Sequence, residues 1–463
     1  MLRAAAVIEK LGIPTVTIIA SGFLKQAKLI MQGLGVPLAI GSYPGAPMVD
    51  SEKQVARKVA DILAPDTIRG LTAEVPRLDM AVAEPDPEQI VHSGSLDEIQ
   101  DYFDRQLWSD GLPVIPPTRE RVDAFLAYAA RSPREVISVV PQEGREATIL
   151  SIAVNGVMAG CRPEYMPILI AIVEAICDPG FRIEDAGATP GWEPLVIVNG
   201  PVIKQLDFNF GQGVMRVGRK ANTSIGRFLR LYMRNVCGFR IPPGAGDKGC
   251  IGQSFLVALA EDEEWARDIG WPTFAEDRGF GKNENVVTVQ SVVCITPPTL
   301  SAGDRAIDHV REWADIMGQT FISRCHANFK RGLWNPLIVA GPGIARVIAG
   351  EWSKDEVRRY LFENVKVSAA RAMHYGVMTS TKIDFERLVD DGILPPEYAV
   401  SDDPERMLNV IIKPEMIGIV VAGDPGRNQS RGYVSNHGQG PPTSRRVELP
   451  ADWEQRLRQN GAG

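Results

Sequence analysis

Residues 195–201 read LVIVNGP, a β-branched run that ends in a glycine turn. The same pattern returns as LIVAGPG at 337–343 and as IVVAGDPG at 419–426, and a helical pattern follows the first two runs. Strand, glycine turn and helix in succession are typical of α/β folds. The runs therefore predict a larger mixed α/β domain over 95–450, which begins at a capping-box pattern, SLDE.

The glycines that end these three runs are candidate ligand-binding positions. Backbone N–H groups at a glycine turn can point at an anion, or at negative charge that develops during a reaction. We therefore expect Gly200, Gly341 and Gly423 to support an anionic substrate. The alternative is that these glycines only end buried strands, since such turns are common in any α/β sheet.

The N-terminal residues predict a second, smaller α/β unit. TVTIIA at 15–20 is a β-branched strand between helical stretches at 4–11 and 21–31, and a strand at 36–40 and a helix at 51–63 follow. Strand, helix and strand in succession imply a parallel sheet with a right-handed crossover. This arrangement predicts an incomplete Rossmann-like unit, because only two strands are present.

Two parallel strands do not form a stable sheet alone, because their faces and edges need cover. We expect the unit at 1–64 to complete its sheet on the rest of the chain, on another subunit or on a missing upstream stretch. An acidic, proline-punctuated linker is expected over 65–94 and a flexible tail over 451–463. Assembly as a homo-oligomer or hetero-oligomer would cover the open edges.

The composition excludes several classes of protein. Apolar residues make up 44% of the 463 residues, too many for a largely disordered chain. The formal charge of −7 argues against a nucleic-acid partner, which would need a basic surface. The sequence contains no run of 18 apolar residues, so it predicts no membrane span. Glu9 and Lys10 lie where a signal peptide would need an apolar core. We therefore expect a cytoplasmic protein with no membrane partner.

Cysteine and histidine spacing argues against a metal centre. The six cysteines include no CxxC pair, and the histidines form neither HxxxH nor HExxH. We expect reduced thiols, no metal and no cofactor.

The thiol at position 161 is the first catalytic candidate. The apolar helical stretch 147–160 ends in glycine, and Cys161 and Arg162 then precede Pro163, a residue typical of the first turn of a helix. A helix N-terminus and a neighbouring arginine both lower the pKa of a thiol, so we expect a Cys161 thiolate supported by Arg162. The alternative is a buried structural cysteine, the commoner fate of a free cysteine.

A glycine loop followed by basic residues predicts an anion-binding site. The loop GQGVMRVG at 211–218 precedes three residues of the helix N-cap type and then an apolar helical face. Arginines near a capped helix start suit a carboxylate or a phosphate. The predicted site consists of Arg216, Arg219, Asn222, Thr223, Ser224 and Arg227. Alternatively, the segment is a surface loop with solvated basic side chains.

The polar, glycine-rich segment 423–446 directly follows a buried strand run. Loops after strand ends are where α/β folds bind ligands, and this segment offers charged and amide groups within a short span. We expect Arg427, Asn428 and Arg431 to contact the substrate and His437 to move protons. The alternative is a disordered tail.

The stretch EKLGIPTVTIIASGFLKQAKLIMQGLGVP (9–37) resembles the second half of the UGSC family of thiol or selenothiol proteins. That family is named for a selenocysteine- or cysteine-Gly-Ser-Cys motif, which precedes a helix and then this kind of GIPTV strand. Five later motifs are similar to a domain that is often found with or fused to that family and has no firmly assigned activity: WSDGLPVIPP, VNGVMAGCRPEYMP, PLVIVNGP, ANTSIGRFLRL and VVAGDPG. The sequence contains no Cys-Gly-Ser-Cys, so a partner subunit supplies the redox pair, the start is truncated, or this member works without it.

Together these patterns predict a small-molecule metabolic enzyme with a small anionic metabolite as its substrate. The first hypothesis is thiol-assisted redox or addition–elimination chemistry at Cys161, with backbone amides at the glycine turns supporting negative charge. The first alternative is a cofactor-independent hydratase, lyase or hydrolase that uses an acid–base pair. The second alternative is a non-catalytic subunit that completes the active site of a partner.

Overall fold

The computed structural model describes residues 2–34, 37–72, 86–142, 144–186, 191–241, 252, 254–322, 325–332, 334–378, 383–436 and 438–459. The chain folds as two compact units. The first comprises Met1–Gln106, Val140–Arg145 and Met233–Gly249, and the second comprises Leu107–Val139, Glu146–Tyr232 and Cys250–Gly463.

The secondary structure alternates between helices and short strands, as an α/β chain should. The strands are β1 Val16–Ala20, β2 Ala39–Tyr43, β3 Val136–Val140, β4 Arg145–Thr148, β5 Glu193–Asn199, β6 Leu259–Ala260, β7 Val286–Ile295, β8 Thr299–Leu300, β9 Leu337–Ala340, β10 Lys366–Ser368, β11 Met407–Asn409, β12 Gly418–Val421, β13 Gln429–Ser435 and β14 Thr443–Arg446. The first ten helices are α1 Leu2–Lys10, α2 Leu24–Leu34, α3 Glu52–Lys58, α4 Ala64–Thr72, α5 Leu96–Arg105, α6 Arg119–Leu126, α7 Ile149–Met158, α8 Met166–Ile176, α9 Val202–Gln205 and α10 Lys220–Asn235. The later helices are α11 Glu263–Asp268, α12 Phe274–Asp277, α13 Ala306–Glu312, α14 Gly318–Ile322, α15 Cys325–Arg331, α16 Pro342–Ala349, α17 Lys354–Asn364, α18 Ala369–Met378, α19 Phe385–Asp390 and α20 Trp453–Gln459.

The first unit is built on the parallel pair β1–β2, in which Val16 lies opposite Ala39. The predicted order of helices and strands is therefore confirmed. The second strand begins at Ala39 instead of Val36, which lies outside the described residues. Pro37 and Leu38 are described and lie outside the strand, and proline has no N–H to donate to a strand ladder.

Helices cover both faces of this pair, and its outer edges are free of partners in the described part of the chain. On one face, α1 and α2 form an apolar cluster with Leu38. On the other face Gly70 brings α4 close to β1, since a Cβ at that position would lie 2.7 Å from the Val16 side chain. The sheet thus contains only the two strands that the sequence predicted, and its completion elsewhere stays a prediction.

Helix α4 extends to Thr72, into the stretch that the sequence predicted to be a linker from residue 65. A wide π turn at Val59–Leu63 precedes Pro65. A proline ring normally clashes with the carbonyl four residues earlier, and a wider turn relieves that clash, so the helix continues past the proline. Helix α5 begins at Leu96, and Ser95 and Glu98 form the predicted capping box before it.

An eight-stranded mixed sheet forms the second unit, which confirms the α/β class. The strand order is β12-β9-β13-β7-β5-β6, with β14 beside β7 and β8 beside β13. The three glycine-ended runs are strands β5, β9 and β12 of this sheet. Strands β12 and β9 are parallel, as are β5 and β6, while β7 and β13 run antiparallel to their neighbours.

One face of each strand along this path packs into a single apolar core. The core contains Leu195, Ile197, Leu259, Val292, Leu337, Val339, Val420 and Tyr433. The two ends of the path also meet, because the backbone N–H of Asp262, after β6, donates to the carbonyl of Val421 in β12 at 2.8 Å. The sheet therefore curls around its core, and the ends of β5, β6 and β12 come together.

The most apolar helix of the chain, α8, lies inside the protein. Every residue of α8 except Glu174 is buried, so its apolar run forms core, and no helix in the described ranges is long and apolar enough to cross a membrane.

Residues 451–459, predicted to belong to a flexible tail, contain helix α20. Trp453 of this helix is buried and donates its indole N–H to Gln205 Oε1 at 3.0 Å, and such an anchor orders a chain end.

Candidate functional site

A buried carboxyl group lies where the sheet closes. Glu261 directly follows β6 and is only 1% exposed. Its carboxylate accepts hydrogen bonds from Asn199 Nδ2 at 2.6 Å, from the Phe274 backbone N–H at 2.7 Å and from the Val421 backbone N–H at 3.3 Å. One side chain therefore joins the ends of β5, β6 and β12 and the start of α12.

The environment of Glu261 favours its protonated form. Burial raises the pKa of this carboxyl to about 7, and the negative charge of Glu263 adds to the rise. The positive charge of Lys354 and the hydrogen bonds from Phe274 and Asn199 act in the opposite direction. A carboxyl that titrates near neutral pH can both donate and accept a proton, as general acid–base catalysis requires.

A second carboxylate binds the same amide. Glu263, in the first turn of α11, accepts from Asn199 Nδ2 at 2.9 Å and from the Gly200 backbone N–H at 2.8 Å. Arg267, one turn later, donates to the other Glu263 oxygen at 3.0 Å. Asn199 thus holds Glu261 and Glu263 side by side, and the two carboxyls have different surroundings.

A cavity of about 210 Å³ opens at this pair. Its wall carries acidic, basic and apolar groups, which are Gly200, Pro201, Ile203, Lys204, Phe210, Glu261, Asp262, Glu263, Glu264, Arg267 and Asn283. The two cations of the wall are paired, Lys204 with Glu264 and Arg267 with Glu263. Within the described ranges no three histidine, cysteine or carboxylate side chains are grouped so as to hold a metal ion.

The predicted glycine turns converge on this region, but their N–H groups are used by the protein. Gly200 donates to Glu263, and Gly423 donates to the Phe210 carbonyl at 2.9 Å. The turn at Gly341 contributes a carbonyl instead, since Pro342 accepts the Trp265 indole N–H at 2.8 Å. The N–H groups of Gly200 and Gly423 therefore already have acceptors within the chain, and their role in binding an anion stays a prediction.

Gly200 is required by its backbone. Its φ of 99° lies in the left-handed region, and a Cβ there would lie 2.4 Å from the Glu284 carbonyl. This tight turn directs the Gly200 N–H towards Glu263, so the glycine positions the carboxylate.

The structure does not support a Cys161 thiolate. The side chain is buried, and burial raises the pKa of the thiol to about 12, although Ser224, Lys220 and Arg227 favour the charged form. The predicted lowering of this pKa is wrong, because desolvation outweighs the positive surroundings. Arg162 is half exposed and approaches Glu164 at 3.7 Å.

The predicted arginine clamp is divided among separate ion pairs. Arg219 binds Asp207 at the surface, at 2.6 Å, while Arg227 makes a two-point contact with the buried Asp110, at 2.8 and 3.0 Å. Arg216 is exposed. Arg219 and Arg227 are therefore held by carboxylates of the chain, and an anion site shared with Arg216 stays a prediction.

The three predicted N-cap residues lie inside α10, which begins two residues earlier at Lys220. Asn222 is buried, and its amide bonds to Asn209 and to the Ala258 carbonyl. Thr223 accepts the Gly218 N–H at 3.2 Å, and Ser224 donates to the Lys220 carbonyl at 2.7 Å. These groups connect the loop to the helix, which is a structural role.

The predicted ligands after β12 lie at the surface. Arg427 is exposed and approaches Asp424 at 3.7 Å, and Asn428 donates to the Ser301 carbonyl at 2.9 Å. Arg431 is also exposed, on β13. His437 lies outside the described residues.

The carboxyl pair Glu261 and Glu263 was not predicted from the sequence. Glu261 and Glu263 belong to the run EDEE at 261–264, which has the composition of a solvated helix start. A signal was present, because the run follows the apolar stretch FLVALA at 255–260, and a polar residue at the end of a buried strand often lines a ligand site.

Comparisons with family models, with curated proteins and with solved structures found no match to this chain.

Proposed function

We propose that the chain is an enzyme that moves protons on a small molecule bound in the 210 Å³ cavity, with Glu261 as the general acid–base group and Glu263 as its partner. The observation that carries the proposal is the shared amide of Asn199, which binds both carboxyls at the wall of the cavity. Two adjacent carboxyls with different surroundings can divide the roles of acid and base between them.

The reaction class that fits best is the cofactor-independent hydratase, lyase or hydrolase. Each of these reactions needs a proton to be removed at one atom and delivered to another, which a carboxyl pair can do without a nucleophilic thiol. The anionic metabolite predicted from the sequence finds less support, because Lys204 and Arg267 already bind carboxylates. A substrate without net negative charge avoids competition with these ion pairs.

For a hydratase or a lyase, whose reaction forms or breaks a C–H bond, hydrogen-isotope exchange tests this function without knowledge of the substrate. The protein is incubated with a mixture of small carbonyl and hydroxy compounds in deuterium oxide, and deuterium incorporation is followed by NMR and mass spectrometry. Incorporation by the wild type that is lost in Glu261→Gln supports the proposal. Equal incorporation by both proteins contradicts a role for Glu261.

The other two hypotheses lead to different outcomes. Thiol-assisted chemistry requires Cys161, so full turnover by Cys161→Ser would exclude it. A subunit that completes the active site of a partner would show no exchange alone and would gain it with the co-purified partner. The resemblance to the UGSC family is compatible with this case, in which another chain would supply the missing redox pair.

A further inference from the structure

Lys354 is a fully buried lysine whose ammonium group has three partners. The side chain is 1% exposed, and its Nζ donates to the Pro272 carbonyl at 2.6 Å and to the Ile419 carbonyl at 3.1 Å. It also pairs with Asp277 Oδ2 at 3.0 Å. A lysine this deep is rare and costly to bury, so its charge must be balanced by groups nearby.

Lys354 and Glu261 hold the same two backbone segments. Lys354 binds the carbonyls of Pro272 and Ile419, and Glu261 binds the N–H groups of Phe274 and Val421, which lie two residues further along each segment. The loop before α12 and strand β12 therefore fix both side chains at once. The separation between the ammonium and the carboxyl is set by rigid backbone on two sides.

The charges around this arrangement balance when Glu261 is ionised. Asp277 Oδ2 also accepts from Arg358 at 2.6 Å, and Arg358 pairs in turn with Asp355, whose side chain is exposed to solvent. Among the buried side chains, Lys354, Arg358 and Asp277 therefore carry one net positive charge. On its other side Glu261 faces the carboxylate of Glu263 through the Asn199 amide. The cationic group favours the ionised Glu261, and Glu263 favours the protonated one.

We propose that Lys354 is the positioning residue of this site, and that its charge, moderated by Asp277, sets the proton affinity of Glu261. The inference rests on the proposed function, in which Glu261 carries the proton. Lys354 does not touch the cavity wall and therefore acts through Glu261 alone. Without this lysine, Glu261 would stay protonated to higher pH and would serve only as an acid.

Two substitutions that change the local charge in opposite directions test the inference. Lys354→Met removes the positive charge, and Asp277→Asn removes the negative charge that offsets it. The titration of the Glu261 side-chain carboxyl carbon is followed by 13C NMR in the full chain, with Glu261→Gln to assign the signal. We expect the midpoint to rise by about one pH unit in Lys354→Met and to fall in Asp277→Asn.

A purely structural role would not give shifts of opposite sign. Unchanged midpoints, or shifts in the same direction, would overturn the inference. If Lys354→Met does not fold, Asp277→Asn decides alone, and a midpoint that stays or rises overturns the inference. Isotope exchange is a separate measurement, so opposite shifts together with equal deuterium incorporation by the wild type and Glu261→Gln would uphold the effect of Lys354 on Glu261 and reject Glu261 as the proton carrier.

Discussion

The Glu261 carboxylate accepts the backbone N–H of Val421 at 3.3 Å, although the two residues are 160 positions apart in the chain. This bond connects the end of β6 to the end of β12, where the curled sheet closes. The same residue lines the cavity of about 210 Å³. Stability and proton chemistry are therefore coupled at one side chain, and the pH dependence of folding reports on the site.

The free energy of unfolding should fall as pH rises from about 4.5 to about 7. The pKa of Glu261 is raised from 4.5 to about 7 in the folded protein, so the stability that the protonated group contributes is complete below 4.5 and is lost above 7. The size of this contribution is on the order of 3 kcal/mol. Urea unfolding at several pH values measures it.

Glu261→Gln is the matched control for this pH dependence. Glutamine does not titrate, so the decline between these pH values should shrink by the Glu261 contribution, whatever the absolute stability of the variant. An unchanged decline would show that other groups cause it.

Gly200→Ala should destabilise the second unit by more than about 2 kcal/mol. The positive φ disfavours alanine, and the new Cβ would meet the Glu284 carbonyl at 2.4 Å. Gly22→Ala is the comparison, because nothing lies within 4 Å of a Cβ there, and its stability should change by less than about 1 kcal/mol. If chemical denaturation shows equal losses of stability for the two variants, the backbone at Gly200 does not require glycine as described.

Cys161 should resist alkylation in the folded protein at pH 8 and react fully after unfolding. With a pKa of about 12, on the order of one thiol in ten thousand is ionised at that pH, and the side chain is buried. Mass spectrometry after iodoacetamide treatment locates the modified cysteines. Rapid labelling of Cys161 under native conditions would instead restore the thiolate hypothesis.

Asp110→Ala should lower the free energy of unfolding by about 3 kcal/mol, because the partly buried Arg227 loses its carboxylate partner and keeps only the carbonyls of Leu112 and Pro113 as acceptors. Asp207→Asn removes the charge that pairs with Arg219 at the surface and keeps a residue that tolerates the positive φ of 57° at this position. This variant should lower the free energy of unfolding by less than about 1 kcal/mol. Thermal or urea unfolding compares the two variants. Similar losses of stability in the two variants would mean that the ion pair between Arg227 and Asp110 does not stabilise the fold more than the exposed pair of Arg219.

Local patterns predicted the elements well. Strands β1, β5, β9 and β12 could be predicted from their β-branched runs. The side-chain periodicity of such a run, and a glycine that follows it, are properties of the segment alone. The capping box at Ser95 was predicted for the same reason. The observed structure differs from the prediction at Pro65, which was expected to end the helix. A wide turn over the five residues Val59–Leu63 keeps the helix intact there.

The site could not be predicted to the same extent, because its chemistry depends on contacts between distant segments. The local surroundings of Cys161 suggested a lowered thiol pKa, yet burial by the fold raised it. Glu261 lies in a charged run typical of a surface, and only the closure of the sheet against Val421 buries it. The raised pKa of Cys161 and the burial of Glu261 both depend on how distant segments pack, which a short sequence motif does not show.

The most direct test of the central claim is the titration of the Glu261 carboxyl carbon by 13C NMR in the intact protein. We predict a midpoint near pH 7, as expected for a buried carboxyl poised to exchange a proton. A midpoint near the ordinary value of 4.5 would contradict the account, because Glu261 would then be a permanently ionised structural group.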